Sequence, residues 1–309
     1  MNIKLDIPEA FYGEEVRNDY TVVPEMKKMW AIQLDLLTAL QEVCEKHGLV
    51  YYADSGTLIG AIRHKGFIPW DDDIDIVMKR KDYDKLIDVA ANEFQYPYFL
   101  QSAHSELFPR GYARLRNSDS TAITKNDLGR NINQGVFIDI FPLDNLPDDP
   151  RERKAWLKKI HFLFRCMNLA LYRKPEGGSG LQKRAKYRVC RAALNIVGFQ
   201  RIVDSFEGLC RKYDDKETKT ISYVAHSFGK KKHLWESACF DSFHTVPFEF
   251  TQICIPDGYD ARLRVEYGDY MKIVRAASTH GNLVFDPDTP YSEYLQAHKR
   301  EEIEKLLND

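Results

Sequence analysis

The chain lacks most of what marks a protein for export, thiolate-metal chemistry or polyanion binding. Its six cysteines (44, 166, 190, 210, 239 and 254) stand apart, with no CxxC pair and no zinc-finger spacing. That excludes a disulfide-stapled framework and a zinc ribbon, and leads us to expect reduced thiols in the cytoplasm. Net charge is only −2 over 309 residues, so the molecule as a whole is not a polyanion binder. No apolar run approaches the roughly 20 residues of a membrane-spanning helix. Met1 to Ala10 carry acids and no apolar stretch, so no secretory signal is expected. There is no internal repeat, no low-complexity tract and no stacked-aromatic RNA motif, which removes nucleic acid from the expected partners.

What is present fits a globular protein: 44% hydrophobic and 29% charged residues. Trp30, Leu34, Leu37, Leu40 and Val43 recur at helical spacing and predict a helix over 24–48, closed by Gly48. LVYYAD at 49–54 reads as a buried strand, and TLIGAIRHKG at 57–66 as a short helix. IDIVM at 74–78 predicts a strand, 82–94 a helix, and 98–103 and 111–117 further strands. GVFIDIFPL at 135–143 predicts another, ended by Pro142 and DNLPDDP. The fold class expected is α/β of the α+β kind, with strands and helices mixed over 1–145. A boundary near 146–150 leads into a mainly helical region, 146–309. Its segment 151–201 holds 14 Lys or Arg against two acids, Glu152 and Glu176, and is interrupted by KPEGGSG at 174–180. A strand is expected near 252–255 and a helix at 258–267.

The chemistry is expected at Asp71, Asp72, Asp73 and Asp75. Side chains alternate along a strand, so Asp71, Asp73 and Asp75 would share a face, with Asp72 pointing away. Three carboxylates on one edge repel unless a cation sits among them. Hard oxygen ligands suit Mg²⁺ or Mn²⁺, held by carboxylates together with phosphate oxygens. A calcium loop does not fit, because Ile76 stands at its sixth position where glycine is needed and Asp82 at its twelfth where glutamate is needed. Upstream, Gly56 follows a strand and opens a helix, where backbone N–H groups can meet phosphate. Ser55 and Thr57 add hydroxyls, and Arg63, His64 and Lys65 lie between this turn and the aspartates. Asp139, mid-strand in VFIDIF, is the candidate third carboxylate, as metal ligand or general base. Arg114 and Arg116 alternate along one strand and could pair with phosphate or with the aspartates.

The stretch GTLIGAIRHKGFIPWDDDID (56–75) resembles the signature of the LicD family of phosphocholine transferases, shared with fukutin-type sugar-alcohol phosphate transferases. VFIDIFPLD (136–144) resembles the family's second motif, and RLRNSDST (114–121) and YGDYMK (267–272) match weaker ones. The resemblance runs from about 25 to 272; beyond it the chain departs, reading Ile273, Val274, Arg275 and then DPDTPYSEY. It implies a nucleotidyltransferase-like fold of the polymerase-β type. It implies transfer of phosphocholine, or a related phospho-alcohol, from CDP-choline or another CDP-alcohol to a sugar hydroxyl of a glycan or lipid-linked acceptor, with release of CMP. Carried over by position, Asp73 and Asp75 would be metal ligands with Asp71 assisting, Asp139 the third carboxylate, and Gly56 and Thr57 would lie against the donor phosphates.

Competing readings are a glycosyltransferase using an Asp-x-Asp metal site, a nucleotidyltransferase leaving NMP on its acceptor, and a non-catalytic binding module. The basic segment 151–201 would suit peripheral contact with anionic lipid at the inner membrane face. Trp70 and the tyrosines at 291 and 294 are aromatic candidates for a choline contact.

Overall fold

The computed structural model describes residues 1–171, 180–227, 233–275 and 283–308. Residues 174–179 of the KPEGGSG interruption lie outside the described residues. A short antiparallel hairpin, β1 (Glu15–Arg17) and β2 (Tyr20–Val22), leads into α1 (Pro24–His47). Pro24 presets the first turn. Gly48 closes the helix at φ 63°, and the N–H groups of Gly48 and Leu49 reach the carbonyls of Glu45 and Cys44. Trp30, Ile32, Leu34, Leu36, Leu37 and Leu40 are fully buried, so α1 is a core helix rather than a surface one.

The sheet is built on that helix. β3 (Tyr52–Ala53), α2 (Ser55–Arg63), β4 (Asp75–Lys79) and α3 (Arg80–Glu93) come first. β5 (Tyr98–Gln101), β6 (Ala113–Asn117), β7 (Thr121–Thr124) and β8 (Val136–Leu146) follow. β8 is central: it pairs in parallel with β4 and antiparallel with β6, while β3 flanks β4 and β5 flanks β6. The result is a mixed α+β sheet. Ile74, Ile76, Met78, Ile138 and Ile140 are fully buried in the same core as α1. Alternation then sends Asp75, Asp139 and Arg114 to the opposite face.

Two expectations change here. The strand begins at Asp75, so residues 71–74 are not strand and strict alternation does not govern the aspartate run. β8 also continues through Pro142 to Leu146. Proline cannot donate to a ladder. Pro142 is tolerated because β6 makes its last pairing at Ile140 and the next antiparallel neighbour starts only at Asp144.

Beyond β8, α4 (Pro150–Asn168) is capped by Asp149, whose carboxylate accepts the N–H groups of Arg151 and Glu152. α5 (Leu181–Val197) and α6 (Phe199–Cys210) follow, and Trp156, Ile160, Val203 and Phe206 make a second apolar cluster. The chain then returns to the sheet. β9 (Thr220–Ser222) pairs with the end of β8; α7 (Val224–Ser227) precedes β10 (Trp235–Glu236), which pairs with β9. A hairpin of β11 (Phe243–Phe248) and β12 (Thr251–Pro256) leads to α8 (Tyr259–Tyr267). β13 (Leu283–Asp286) pairs with β7, and α9 (Tyr291–Ala297) and α10 (Arg300–Leu306) pack beside them. Cys44, Cys166, Cys210, Cys239 and Cys254 are free thiols. Among the described residues, no helix is long and apolar enough to cross a membrane.

The loop from α2 to β4 is held close to the helix that precedes it. A Cβ on Gly60 would overlap the Gly66 carbonyl oxygen and lie 3.3 Å from the Ile68 nitrogen, both backbone atoms that cannot swing aside. Alanine is the better helix former by about 1 kcal/mol, but overpacking costs roughly 1–3 kcal/mol. Gly60→Ala is therefore expected to lower the midpoint of urea unfolding. An unchanged or raised midpoint would show that the loop can move away freely.

Candidate metal and phosphate site

The site begins with backbone pairing. The Asp54 N–H donates to the Asp75 carbonyl at 3.0 Å, and the Thr57 Oγ1 accepts the Asp75 N–H at 2.9 Å. Asp75 is thus clamped on both sides, and the buried Thr57 hydroxyl belongs to that clamp. Asp75 is the register partner of Asp139 on β8, and Asp139 is the partner of Arg114 on β6. With strands roughly 4.8 Å apart, Asp54, Asp75, Asp139 and Arg114 form one row across the sheet.

The aspartate loop reaches this row by a route that periodicity did not reveal. Trp30 Nε1 donates to the Asp71 carbonyl and Gln33 Nε2 to the Asp72 carbonyl, each at 2.8 Å, so α1 pins the loop through its main chain. A Cβ on Gly56 would overlap the Asp71 carboxylate, which lies over the first turn of α2. Glycine is needed there to admit that carboxylate beside the helix N-terminus. Asp71, Asp72 and Asp73 each bring an oxygen within 4.8 Å of the others. Asp72 therefore joins the cluster, correcting the expectation that it points away; outside a strand, nothing forces it to the opposite face.

The electrostatics ask for a cation. Burial, and then the charges of Asp73, Asp139, Asp54 and Asp71, raise the Asp75 carboxyl well above the usual carboxylate range. Every available donor in the cluster is a carboxylate oxygen, the set that hard divalent ions prefer. Asp71, Asp72 and Asp73 are thus suited to hold a metal ion, and Asp75 and Asp139 are register partners on the neighbouring strands β4 and β8. Two basic side chains restrain the row at either end. Arg114 grips Asp139 through Nε at 2.6 Å and Nη2 at 3.3 Å, both residues being buried. Arg262 of α8 pairs with Asp54 at 2.7 Å and donates to Glu266 at 2.8 Å, its guanidinium 3.7 Å from the centroid of the Trp235 ring.

Other expected residues lie elsewhere. Ser55 opens α2 in the left-handed region, at φ 48°. Arg63, His64 and Lys65 stand at the far end of α2, roughly 12 Å of helix from Gly56. Arg63 donates to the carbonyls of Tyr270 and Lys272, anchoring the YGDYMK segment. Burial and the adjacent Arg63 push the His64 imidazole down to about 4. Lys65 is exposed. Arg116 donates to Gln101 and to the Gly135 carbonyl. Trp70 packs edge-on against Tyr20, and the Arg275 guanidinium stands about 6 Å from both rings. Tyr294 stacks on His298 and packs against the cluster beside β7 and β13.

Residues 48–164 match the family described as LicD/FKTN/FKRP, nucleotidyltransferase domain. The chain carries a LicD-family domain. It is also 29% identical over 255 residues, 80% of this chain and 92% of the relative, to the lipopolysaccharide cholinephosphotransferase LicD of Haemophilus influenzae. An uncharacterised protein of Rickettsia prowazekii is 35% identical over 77 residues, covering 25% of this chain and 27% of that protein. The LicD-family match spans Asp54 to Asp139 but not Arg262. No motif flags Arg262; its signal is an arginine inside a helical segment that the sheet needs as a counter-ion.

Two predictions follow from the row. A carboxyl whose folded pKa is raised contributes its full stability below the ordinary value of 3.8, and that contribution is lost as pH rises through the folded pKa. At pH 7 without divalent ions, Asp75→Asn should therefore melt above the unsubstituted chain. Added Mg²⁺ should reverse the order, since a cation at one hundred times its Kd adds about 2.7 kcal/mol only where it binds. Scanning fluorimetry with and without Mg²⁺ reads both, and an order unaffected by Mg²⁺ would refute the cation site. Arg262→Met should cost roughly 3–5 kcal/mol by leaving Asp54 buried and uncompensated. The double variant with Asp54→Asn should recover part of that in chemical unfolding; strict additivity would show that the two do not interact.

Proposed function

We propose that the chain transfers phosphocholine, or a related phospho-alcohol, from its CDP derivative to a sugar hydroxyl of a cell-surface glycan or glycolipid precursor, releasing CMP. The observation that carries this reading is the register that sets Asp75 beside Asp139, with the Asp71 carboxylate over the first turn of α2 and those of Asp72 and Asp73 within 4.8 Å of it. The family domain supports the assignment to phosphotransferases, and the name of the Haemophilus relative supports phosphocholine and a lipopolysaccharide acceptor.

In the proposed reaction the acceptor oxygen forms a bond to the distal phosphorus, the bond from that phosphorus to the bridging oxygen breaks, and CMP leaves. Such transfers depend on positioning and on neutralising charge at the oxygens. Mg²⁺ or Mn²⁺, when bound, would supply that neutralisation at the diphosphate. Asp73 and Asp75 would be its principal ligands, with Asp71 and Asp72 assisting. The Gly56 turn leaves the backbone N–H groups of α2 close to the same place. Asp139 would complete the ligand set or take the proton of the acceptor hydroxyl, held at a fixed angle by Arg114. Trp70, next to Asp71 in the chain, would serve a cationic alcohol as an aromatic face only by displacing the Arg275 guanidinium that now stands over it and Tyr20.

Residues 151–201 would carry any contact with a lipid-linked acceptor at an anionic inner membrane surface. α5 exposes Leu181, Val189 and Ile196 among Arg184, Arg188 and Arg191, and such docking would weaken as salt screens it.

Asp73→Asn and Asp139→Asn should each reduce Mg²⁺-dependent CMP release from CDP-choline by a factor of 10² or more, on the order of 3 kcal/mol in the barrier, with circular dichroism unchanged. Normal turnover in a variant would remove that residue from the mechanism. Assaying CDP-ribitol and CDP-glycerol in parallel identifies the alcohol. UDP release from a nucleotide sugar, or pyrophosphate release from CTP, in place of CMP release would overturn the reading in favour of a glycosyltransferase or a nucleotidyltransferase.

A further inference from the structure

Asp127 lies in the turn between β7 and β8, outside the sequence motifs quoted above, and is only 1% exposed. A buried carboxylate needs partners, and this one is anchored from several elements. Its Oδ1 accepts Arg110 Nη2 at 2.9 Å and Arg130 Nη1 at 3.0 Å. Its Oδ2 accepts the Thr124 hydroxyl at 3.2 Å. The Asp127 N–H donates to the Thr124 carbonyl at 3.0 Å, so main chain and side chain are held together. Oδ2 also stands 3.7 Å from Arg114 Nη1 and 3.9 Å from Arg116 Nη2, ion pairs too long to be hydrogen bonds. Burial pushes the carboxyl up, but Arg110, Arg116, Arg114 and Arg130 outweigh it and hold it at about 2. Asp127 is therefore a fixed negative charge at neutral pH.

Arg114 stands between that anchor and the site. Its Nε and Nη2 hold the two oxygens of Asp139 at 2.6 and 3.3 Å, and its Nη1 faces Asp127. Its guanidinium lies over the Phe137 ring, 3.7 Å from the centroid. Because the group is planar and its donors are fixed in direction, a restraint at Nη1 is felt at Nε and Nη2. We infer that Asp127 is a positioning residue of the proposed phosphotransfer, fixing the aim of Asp139 through the Arg114 guanidinium. The inference rests on the reaction proposed above. With its charge in place, Arg114 is drawn from both ends. Without it, Asp139 draws the guanidinium from one end only, and the pair settles at a different angle. A misplacement of about 1 Å can cost as much as 10²-fold in rate. Asp127 acts at one remove, so its loss should cost part of that.

Asp127→Asn keeps the shape of the side chain and removes its charge. In the full chain with Mg²⁺ it should lower kcat for CMP release from CDP-choline roughly tenfold and leave KM within about twofold. Asp35→Asn is the structural control. Asp35 is also buried, and accepts the Lys4 and Leu5 N–H groups and the Tyr98 hydroxyl. Its loss should lower the unfolding midpoint without lowering kcat. A second measurement needs no turnover. In urea unfolding, the effects of Asp127→Asn and Asp139→Asn should depart from additivity by more than roughly twofold in the unfolding constant. Arg114→Lys, which keeps the charge and loses the planar fork, should diminish that coupling. An unchanged kcat in Asp127→Asn, additive effects with Arg114 in place, or coupling that Arg114→Lys leaves intact would each overturn the inference. Should Asp127→Asn fail to fold, Thr124→Val, which removes the hydroxyl that steadies Oδ2, should lower kcat with KM unmoved, and an unchanged kcat there would overturn it too. A chain that shows the coupling but releases no CMP would refute the proposed reaction, and the role in turnover with it, while the link through Arg114 stood. Normal CMP release without the coupling would refute the link alone.

Discussion

The site depends on like charges held on adjacent strands. Asp75 and Asp139 face each other in a parallel ladder whose register is fixed by the buried Ile74, Ile76, Met78, Ile138 and Ile140 on the other face. A slip of one residue would bury the carboxylates in the core and expose the isoleucines. Packing against α1 therefore enforces an arrangement that electrostatics alone opposes. The repulsion is concentrated at Asp75, whose two backbone hydrogen bonds to Asp54 and Thr57 deny it the freedom to retreat.

The protein contains that repulsion at the edges of the row rather than at its centre. Arg262 compensates Asp54 and Arg114 compensates Asp139, while the charges that act on Asp75 are those of Asp73, Asp139, Asp54 and Asp71. Both arginines come from segments that the sheet or its packing brings in: β6 by direct pairing, α8 by the return of the chain after α6. The acidic loop itself is shaped by donors to its main chain, Trp30 and Gln33. The three carboxylates are thereby gathered by main-chain anchoring, each with an oxygen within 4.8 Å of the others.

Much of this was legible in the sequence where apolar spacing governs. α1, β4 and β8 follow from periodicity, and Asp139 stands out because a carboxylate inside VFIDIF must meet a partner. Glycine at 56 was legible as a requirement, though the atom that demands the space is the Asp71 carboxylate as well as any incoming phosphate. Alternation failed at Asp72 because it applies only inside a strand, and the strand starts at Asp75. Pro142 marked an end in sequence but fell at a handover between neighbouring strands, which only tertiary pairing reveals. Arg262, Asp127 and Arg110 carry no local signature: each matters through a partner distant in the chain or on another strand.

Arg114 ties the two halves of the site together. Its Nε and Nη2 hold Asp139, and its Nη1 turns toward Asp127 at 3.7 Å. On one side lie the carboxylates of the row, on the other Asp127 with Arg110, Arg116 and Arg130 gathered on it, and a single planar side chain spans the two. Because a guanidinium is planar and its donors are fixed in direction, a shift of Asp127 would act on the same rigid group that sets the angle of Asp139. Lysine, a single rotatable ammonium, could neutralise either carboxylate but could not hold both orientations at once. The polarity of the site and the aim of its central carboxylate therefore reside in one residue, and their energies cannot be assigned to it separately.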